Sequence, residues 1–529
     1  MRRLRSVLLL ACLVLSTGHA VRAEGASPLS ALTAPSLDEL RRGVEALGRS
    51  GDPRALPVIA ALNDGTLYVR SDRALFIHTS SGFVDAATGA PAPDVAASRL
   101  KKVRVNNPVR EAINEALGAL RLFSSDPAAR AAAADAVFHN HDPHALAALD
   151  RALAKETDPG VRHAMMDARA AVLLFTPDAL TQDRLDAVAK LRARGGMEAR
   201  ALLEQVPGQP PAVAAAVASA VAAIDQSLRL WGLAQAVYYG VSLGSVLLLA
   251  AAGLAITFGV MGVINMAHGE MVMLGAYTTF MVQGLVLGLA PALSGVSLLV
   301  AIPAAFVVSG GLGVVIERTL IRWLYGRPLE TLLATFGLSL ILQQAVRTIF
   351  GANNRAVSTP SWMSGETHLG GLALTYNRLA IIVFAFLVFA GLAAVMRFTP
   401  LGLRMRAVTQ NRLMASAMGI RTPRVDALTF GLGSGIAGMA GVALSQIDNV
   451  NPNLGQGYII DSFMVVVFGG VGNLWGTVVG ALVLGVVNKF LEPIAGAVLG
   501  KIAVLALLIL FIQRKPRGLF PIRGRAVEA

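Results

Sequence analysis

Five polar side chains interrupt long apolar stretches of this 529-residue chain: Asn265, His268, Glu270, Gln343 and Gln344. Ionisable and amide groups are costly at membrane depth, so such residues face a pathway or a partner. Gln343 and Gln344 each carry a donor and an acceptor, the chemistry that would recognise a small amide-like solute. Inter-helix hydrogen bonding is the blander use of the same groups. His268 and Glu270 open an apolar run and are flanked by Asn265 and Gly269, which permit a break or close packing. They either line a route or cap a helix, satisfying backbone or each other. Other chemistry finds little support. His139, His141 and His144 suit a metal by residue type, but they do not share a helical face at i, i+4, so a polar loop accounts for them. No Ser/His/Asp or paired-carboxylate arrangement indicates a catalytic site. Gly496-Ala-Val-Leu-Gly500-Lys501-Ile502 has three residues between its glycines and no Ser or Thr after the lysine, so it is no phosphate-binding loop.

The elements that must position these residues follow from composition. Hydrophobic residues make up 54% of the chain and charged ones 15%, against about 25% charged in soluble domains. Charges are frequent before Ala234 and sparse after it. Apolar segments then run about 234–258, 263–286, 296–316, 329–350, 378–396, 424–446, 458–472, 475–491 and 496–513. Runs of about 18 residues or more can cross a bilayer as helices. Small residues at four-residue spacing, as in Gly240/Gly244, Gly431/Gly435, Ser434/Gly438, Ala437/Gly441 and Gly476/Gly480, predict close helix packing.

The net charge is +13, but the arginines and lysines of this half cluster in loops, as membrane orientation requires. No basic groove with interleaved aromatics is visible, which sets nucleic acid aside. The loops containing Arg318, Arg322 and Arg327, and Arg397 to Arg424, are expected in the cytoplasm, together with the tail from Arg514 to Arg525. About nine segments, starting outside, satisfy all three.

Residues 1–23 read as a signal peptide: arginines, the apolar run Val7–Leu15, then small residues to Ala23. Cys12, the single cysteine, lies within it, so the mature chain would have no disulfide. Residues 24–228 predict a mostly α-helical domain outside the cytoplasm. Asp52-Pro53, Asp126-Pro127, Asp142-Pro143 and Asp158-Pro159 each supply a cap and a first-turn proline. The stretch after Asp158 resembles a HEAT-type repeat, in an irregular array. Leu67–Arg70 and Arg73–Ile77 read as a hairpin, and Phe83–Asp94 as loop. The fold class expected is all-α: a polytopic helical bundle over 229–520 behind a HEAT-like periplasmic domain, with a 521–529 cytoplasmic tail.

Three motifs carry a family resemblance. Gly259-Val-Met-Gly-Val-Ile-Asn265-Met-Ala-His268-Gly-Glu270-Met-Val-Met-Leu-Gly275-Ala-Tyr277 and Phe468-Gly-Gly-Val-Gly-Asn473-Leu-Trp-Gly-Thr-Val-Val-Gly480 resemble the branched-chain amino acid and amide importer permeases. The loop 397–420, basic, then Ala-rich, ending Gly419-Ile420, resembles the coupling helix of ATP-binding-cassette importers. The resemblance covers 234–520, with the motifs in family order. Within the family, Gln343 to Asn354, Pro360 to Gly365 and the long domain ahead of the permease resemble the urea-type branch.

The resemblance implies a permease subunit of an ATP-driven importer in the bacterial inner membrane. Urea is the implied solute, with branched-chain amino acids or short amides as the alternative. It also implies a second permease subunit, ATP-binding subunits that bind the ATP, and a periplasmic solute-binding protein. Arg404, Arg406, Ala407, Asn411, Ala415 and Gly419 are the residues implied in ATPase coupling. Asp448, Asn449, Asn451 and Asn453 form a loop that either meets the binding protein or is simply polar. The chain itself is not expected to be an enzyme or to hold a cofactor.

Overall fold

Short polar side chains set the helix starts of the N-terminal part. In the computed structural model, which describes residues 28–33, 36–50, 54–79, 82–93, 95, 100–206 and 208–520, Asp126 accepts from the Ala128 amide at 3.0 Å. Asp158 accepts from the Gly160 and Val161 amides at 2.8 and 3.0 Å, and Asp142 from the His144 amide at 2.9 Å. Each is followed by proline, whose missing N–H is no loss in a first turn. The Asp52-Pro53 pair, the leader over 1–23 and the 521–529 tail lie outside the described residues. The chain forms two units, 1–228 and 229–529, and its described residues are mostly helical.

In the first unit, α1 (Leu37–Ser50) and α2 (Ala55–Asn63) precede a four-stranded antiparallel sheet in the order β3-β2-β1-β4. β1 (Leu67–Arg70) and β2 (Leu75–Thr79) form the expected hairpin, with Tyr68 opposite Phe76. The stretch expected as loop from Phe83 is corrected: β3 (Gly82–Asp85) pairs with β2. Phe83 packs its ring 5.7 Å from Tyr68 and 4.9 Å from His78, and β4 (Leu100–Lys102) closes the other edge. These strands are too short to show alternation, and cross-strand aromatic contact stabilises them instead.

Helices α3 (Asn107–Arg121), α4 (Pro127–Asn140), α5 (Leu146–Lys155), α6 (Pro159–Phe175), α7 (Thr181–Arg194) and α8 (Gly196–Gln205) follow. Their core includes Phe138, Leu149, Met165 and Leu174, each contributing about 1.5–3 kcal/mol by leaving water. Arg130 and Glu156 are joined through Nε–Oε2 at 2.7 Å and Nη2–Oε1 at 2.9 Å. That forked pairing holds the Glu156 carboxyl below its ordinary range.

The second unit is a polytopic bundle. α9 (Pro211–Met261) starts well before Ala234, because the Ala-rich stretch upstream has high helix propensity and nothing stops it. Then come α10 (His268–Leu289), α11 (Ser297–Thr319), α12 (Pro328–Phe350), the hairpin β5 (Glu366–Leu369) and β6 (Leu372–Thr375), and α13 (Tyr376–Phe398). They are followed by the short α14 (Pro400–Gln410) and α15 (Arg412–Ala417), then α16 (Thr422–Leu444), α17 (Leu454–Gly469) and α18 (Leu474–Arg514). Seven helices among the described residues are long and apolar enough to cross a membrane, and α17 is a shorter apolar one. α18 covers the two last segments read from sequence. Gly496, at φ 78°, breaks it between them, just beyond Pro493.

Helix contacts run through the small residues. A Cβ on Gly244 would lie 2.8 Å from the Ala481 carbonyl, and one on Gly275 would overlap Gly438. Backbone approach of this kind supplies association where lipid offers no hydrophobic drive.

Candidate functional site

The α9 helix ends at Gly262, whose φ of 67° turns the chain out of helical geometry. Residues 262–267 are non-helical and α10 begins at His268. The break therefore contains Asn265 and falls just ahead of His268 and Glu270. Asn265 is buried, and its Oδ1 accepts from the Ala267 amide at 3.0 Å. The Met266 amide donates across to Thr335 Oγ1 of α12 at 3.1 Å. A Cβ on Gly269 would lie 2.6 Å from the Gly455 carbonyl, so this glycine lets the first turn of α10 meet α17.

Glu270 is fully buried and turns to α12. Its Oε1 accepts from Ser339 Oγ at 2.8 Å and from Gln343 Nε2 at 2.7 Å. Its Oε2 has no hydrogen-bond partner. His268 turns to α9, where its Nε2 donates to the Ala250 carbonyl at 2.9 Å, leaving Nδ1 without a hydrogen bond. Each residue thus has a partner for one side-chain atom in another group, and neither pairs with the other. Gln344 is exposed, one residue on from buried Gln343, and does not join the cluster.

The residues that sequence reasoning missed are Thr331, Thr335 and Ser339. With Gln343 they stand four residues apart and are buried on one face of α12, while most of the helix's apolar residues point outward. Hydroxyls at i, i+4 and i+8 leading to an amide at i+12 were the available signal. Buried together, Thr335, Ser339, Gln343 and Glu270 make a seam of hydroxyl, amide and carboxylate groups in an apolar bundle. The unused Glu270 oxygen offers an acceptor to a donor such as an amide or ammonium N–H.

The histidine triplet of the first unit disperses. His139 Nδ1 donates to the Asp135 carbonyl at 2.8 Å. His141 adopts φ 39° and packs 4.0 Å from the Phe175 ring, and His144 lies in a short 3₁₀ turn. Among the described residues no three His, Cys, Asp or Glu are grouped to hold a metal ion.

At 397–420 the sequence suggests one short helix and the structure has two. Asn411, with extended backbone at φ −155°, ends α14 and caps α15, accepting from the Met414 amide at 2.9 Å. Arg406 folds back onto the Met396 carbonyl. Ala415 is buried with Met405, Val408 and Val425, and Ala407 packs beside them. Arg404 is exposed, and Gly419 closes the segment at φ 86°. Leu413 and Met418 point outward at 84% and 80% exposure. The Asp448–Asn453 loop is tied down, with Val450 bridging Arg355 and Asn453 accepting from Arg347 at 2.5 Å.

Comparison with known proteins agrees with this architecture. Residues 236–512 match the branched-chain amino acid transport system permease component family. The chain is 32% identical to the high-affinity branched-chain amino acid transport system permease protein BraD of Pseudomonas aeruginosa, covering 53% of this chain and 93% of that protein. It is also 32% identical to the corresponding protein LivH of Escherichia coli, over 54% of this chain and 94% of LivH. A shorter match, 29% identical over 23% of the chain, is to the ribose import permease protein RbsC of Bacillus subtilis. No solved structure matches. A multi-pass bundle with a broken entry to α10 and a family match over residues 236–512 leads to one conclusion: the chain belongs to the branched-chain amino acid transport permease family.

Proposed function

We propose that the protein is the membrane-spanning permease subunit of an ATP-driven importer in the bacterial inner membrane, and that its solute is urea. The observation that carries the transport reading is the buried seam of α12 against Glu270, whose Oε2 has no hydrogen bond within the chain. A buried acceptor without a donor costs about 1–3 kcal/mol, which a passing N–H donor would offset. Urea presents such donors.

The urea reading rests on the resemblance of 343–365 and on the domain ahead of the permease. A second reading, branched-chain amino acids, is favoured by the relatives, which are named as permeases for them. An ammonium group would also suit the Glu270 carboxylate.

The partners in this reading are a second permease chain, ATP-binding subunits that hydrolyse the ATP, and a periplasmic solute-binding protein. α14 and α15, with Leu413 and Met418 outward, would dock the ATPase on the cytoplasmic side. The 24–228 domain would lie in the periplasm after removal of the 1–23 leader and would meet the binding protein. The test is uptake of labelled urea and labelled leucine by cells with and without the chain. Loss of urea uptake alone, restored by the intact chain but not by one with 404–420 replaced, supports the urea importer. Loss of leucine uptake alone selects the second reading, and dependence of uptake on no separate ATPase would overturn the class.

A further inference from the structure

Three side chains meet beside α15: Tyr325 in the turn after α11, Arg412 at the start of α15, and Asp426 in the first turns of α16. Glu317, near the end of α11, stands one turn beyond Gly313, where a Cβ would lie 3.2 Å from the carbonyl of Phe430, itself one turn beyond Asp426. Arg412 donates through both Nη atoms to the Asp426 carboxylate, the Nη1–Oδ1 contact being 3.3 Å. Its guanidinium carbon lies 4.4 Å from the centre of the Tyr325 ring. Asp426 is completely buried and Glu317 is 1% exposed. Neither Glu317 oxygen has a hydrogen-bond partner. Its ion-pair partner among the described residues is Arg318, at 3.6 Å.

This arrangement is more than a packing detail. On its inner side α15 puts Ala415 in the apolar core and Arg412 in the ion pair, while Leu413, Met414 and Met418 face outward. Ala415 has a single methyl and resists sliding weakly. A forked guanidinium–carboxylate pair is directional and stacks well on an aromatic face. Force applied to the outer face of α15 therefore has a side-chain route through Arg412, to α16 by Asp426 and to the turn between α11 and α12 by Tyr325. The neighbouring carboxyl group of Glu317 is desolvated and lacks a donor, so its ionised form is costly in this state. The cost is removed if a donor arrives in another state.

We propose that Arg412 is a two-position latch. In the conformation described it joins α15 to α16 through Asp426. When α15 is displaced, its guanidinium passes to Glu317 and joins α15 to α11 instead. Arg412, Asp426 and Glu317 are positioning residues, acting on the solute only through the helices they link. The exchange would convert a shift of a six-residue helix into alternative attachments of two membrane helices, a bistable element of the kind that switching needs.

The latch rests on the reading that α14 and α15 dock an ATPase. The assembled transporter is purified with the wild-type chain and with Glu317→Gln, Asp426→Asn, Arg412→Lys and the exchange pair Arg412→Asp with Asp426→Arg. ATPase retention, ATP hydrolysis and solute moved per ATP are measured for each. Glu317→Gln keeps the shape of the side chain, removes its capacity for negative charge and leaves the resting Arg412–Asp426 pair intact. It is expected to retain the ATPase and its hydrolysis while solute moved per ATP falls about tenfold, equivalent to about 1.4 kcal/mol. The exchange pair is expected to restore ATPase retention lost in Asp426→Asn, but not full coupling, because the cation has moved from α15. Unchanged solute per ATP in Glu317→Gln would overturn the latch while leaving the docking reading intact. A wild-type chain that retains no ATPase would overturn the docking reading and the latch together.

Discussion

Gln343 and Gln344 are chemically identical and adjacent, and the structure puts them in opposite environments. Gln343 is 4% exposed and donates to Glu270 at 2.7 Å, whereas Gln344 faces outward. Replacing Gln343 by Leu removes a hydrogen bond to a buried carboxylate, an interaction of about 1.5–3 kcal/mol. If the seam contacts solute in the rate-limiting step, uptake per folded molecule falls about 10- to 150-fold. Gln344→Leu removes an exposed amide from an apolar helix, where polar groups are unfavourable. It should leave uptake within about twofold, the usual range for a surface substitution. The assay is initial-rate uptake normalised to folded protein, measured by gel filtration of detergent extracts. Equal losses in the two variants would refute the assignment of the faces. Normal uptake by a folded Gln343→Leu would refute the role of the seam. A loss confined to the amount of folded Gln343→Leu would reduce Gln343 to inter-helix packing.

Three further outcomes follow from other contacts. Gly275→Ala drives a methyl into Gly438 and should destabilise the bundle by about 1–3 kcal/mol. Gly284→Ala, on the same helix with nothing within 4 Å, should be neutral or stabilising; thermal unfolding in detergent separates them. In the first unit, Arg130 holds the folded Glu156 carboxyl below its ordinary value. Its stabilisation is therefore complete above the unfolded value near about 4.3 and is lost as pH falls through the lower folded value. Hydrogen exchange of α4–α6 should show protection falling over that window, while Glu156→Gln is weaker at neutral pH and flatter with acid. Replacing exposed Leu413 and Met418 by Glu should abolish co-purification of an ATPase subunit without reducing the yield of folded permease; full retention would count against docking at α15.

Local chemistry made part of this molecule legible. The Asp-Pro pairs at 126, 142 and 158 announce helical turns because a carboxylate cap and a proline act within one turn. The apolar runs announce membrane helices because length and hydrophobicity suffice for crossing. The glycine pairs announced close contact, though not the partner helix. The motif at 259–277 was visible as a polar interruption with Asn265 and Gly269 permitting a break or close packing; the structure puts the turn at Gly262 and the close packing at Gly269.

Other features required distant parts of the chain to meet. Which of two adjacent glutamines faces inward depends on the phase of α12 against Glu270, 73 residues away. The strand from Gly82 gains its stability from Tyr68 and His78 across the sheet. Arg412 read as one of several loop arginines, and only folding set it on Asp426 and over Tyr325. The sequence by itself determined where helices start and which segments are apolar enough to cross a membrane, because caps and hydropathy act locally. The tertiary structure decided which polar groups share a buried face and which lack a partner, because hydrogen bonds and desolvation depend on what long-range packing brings alongside.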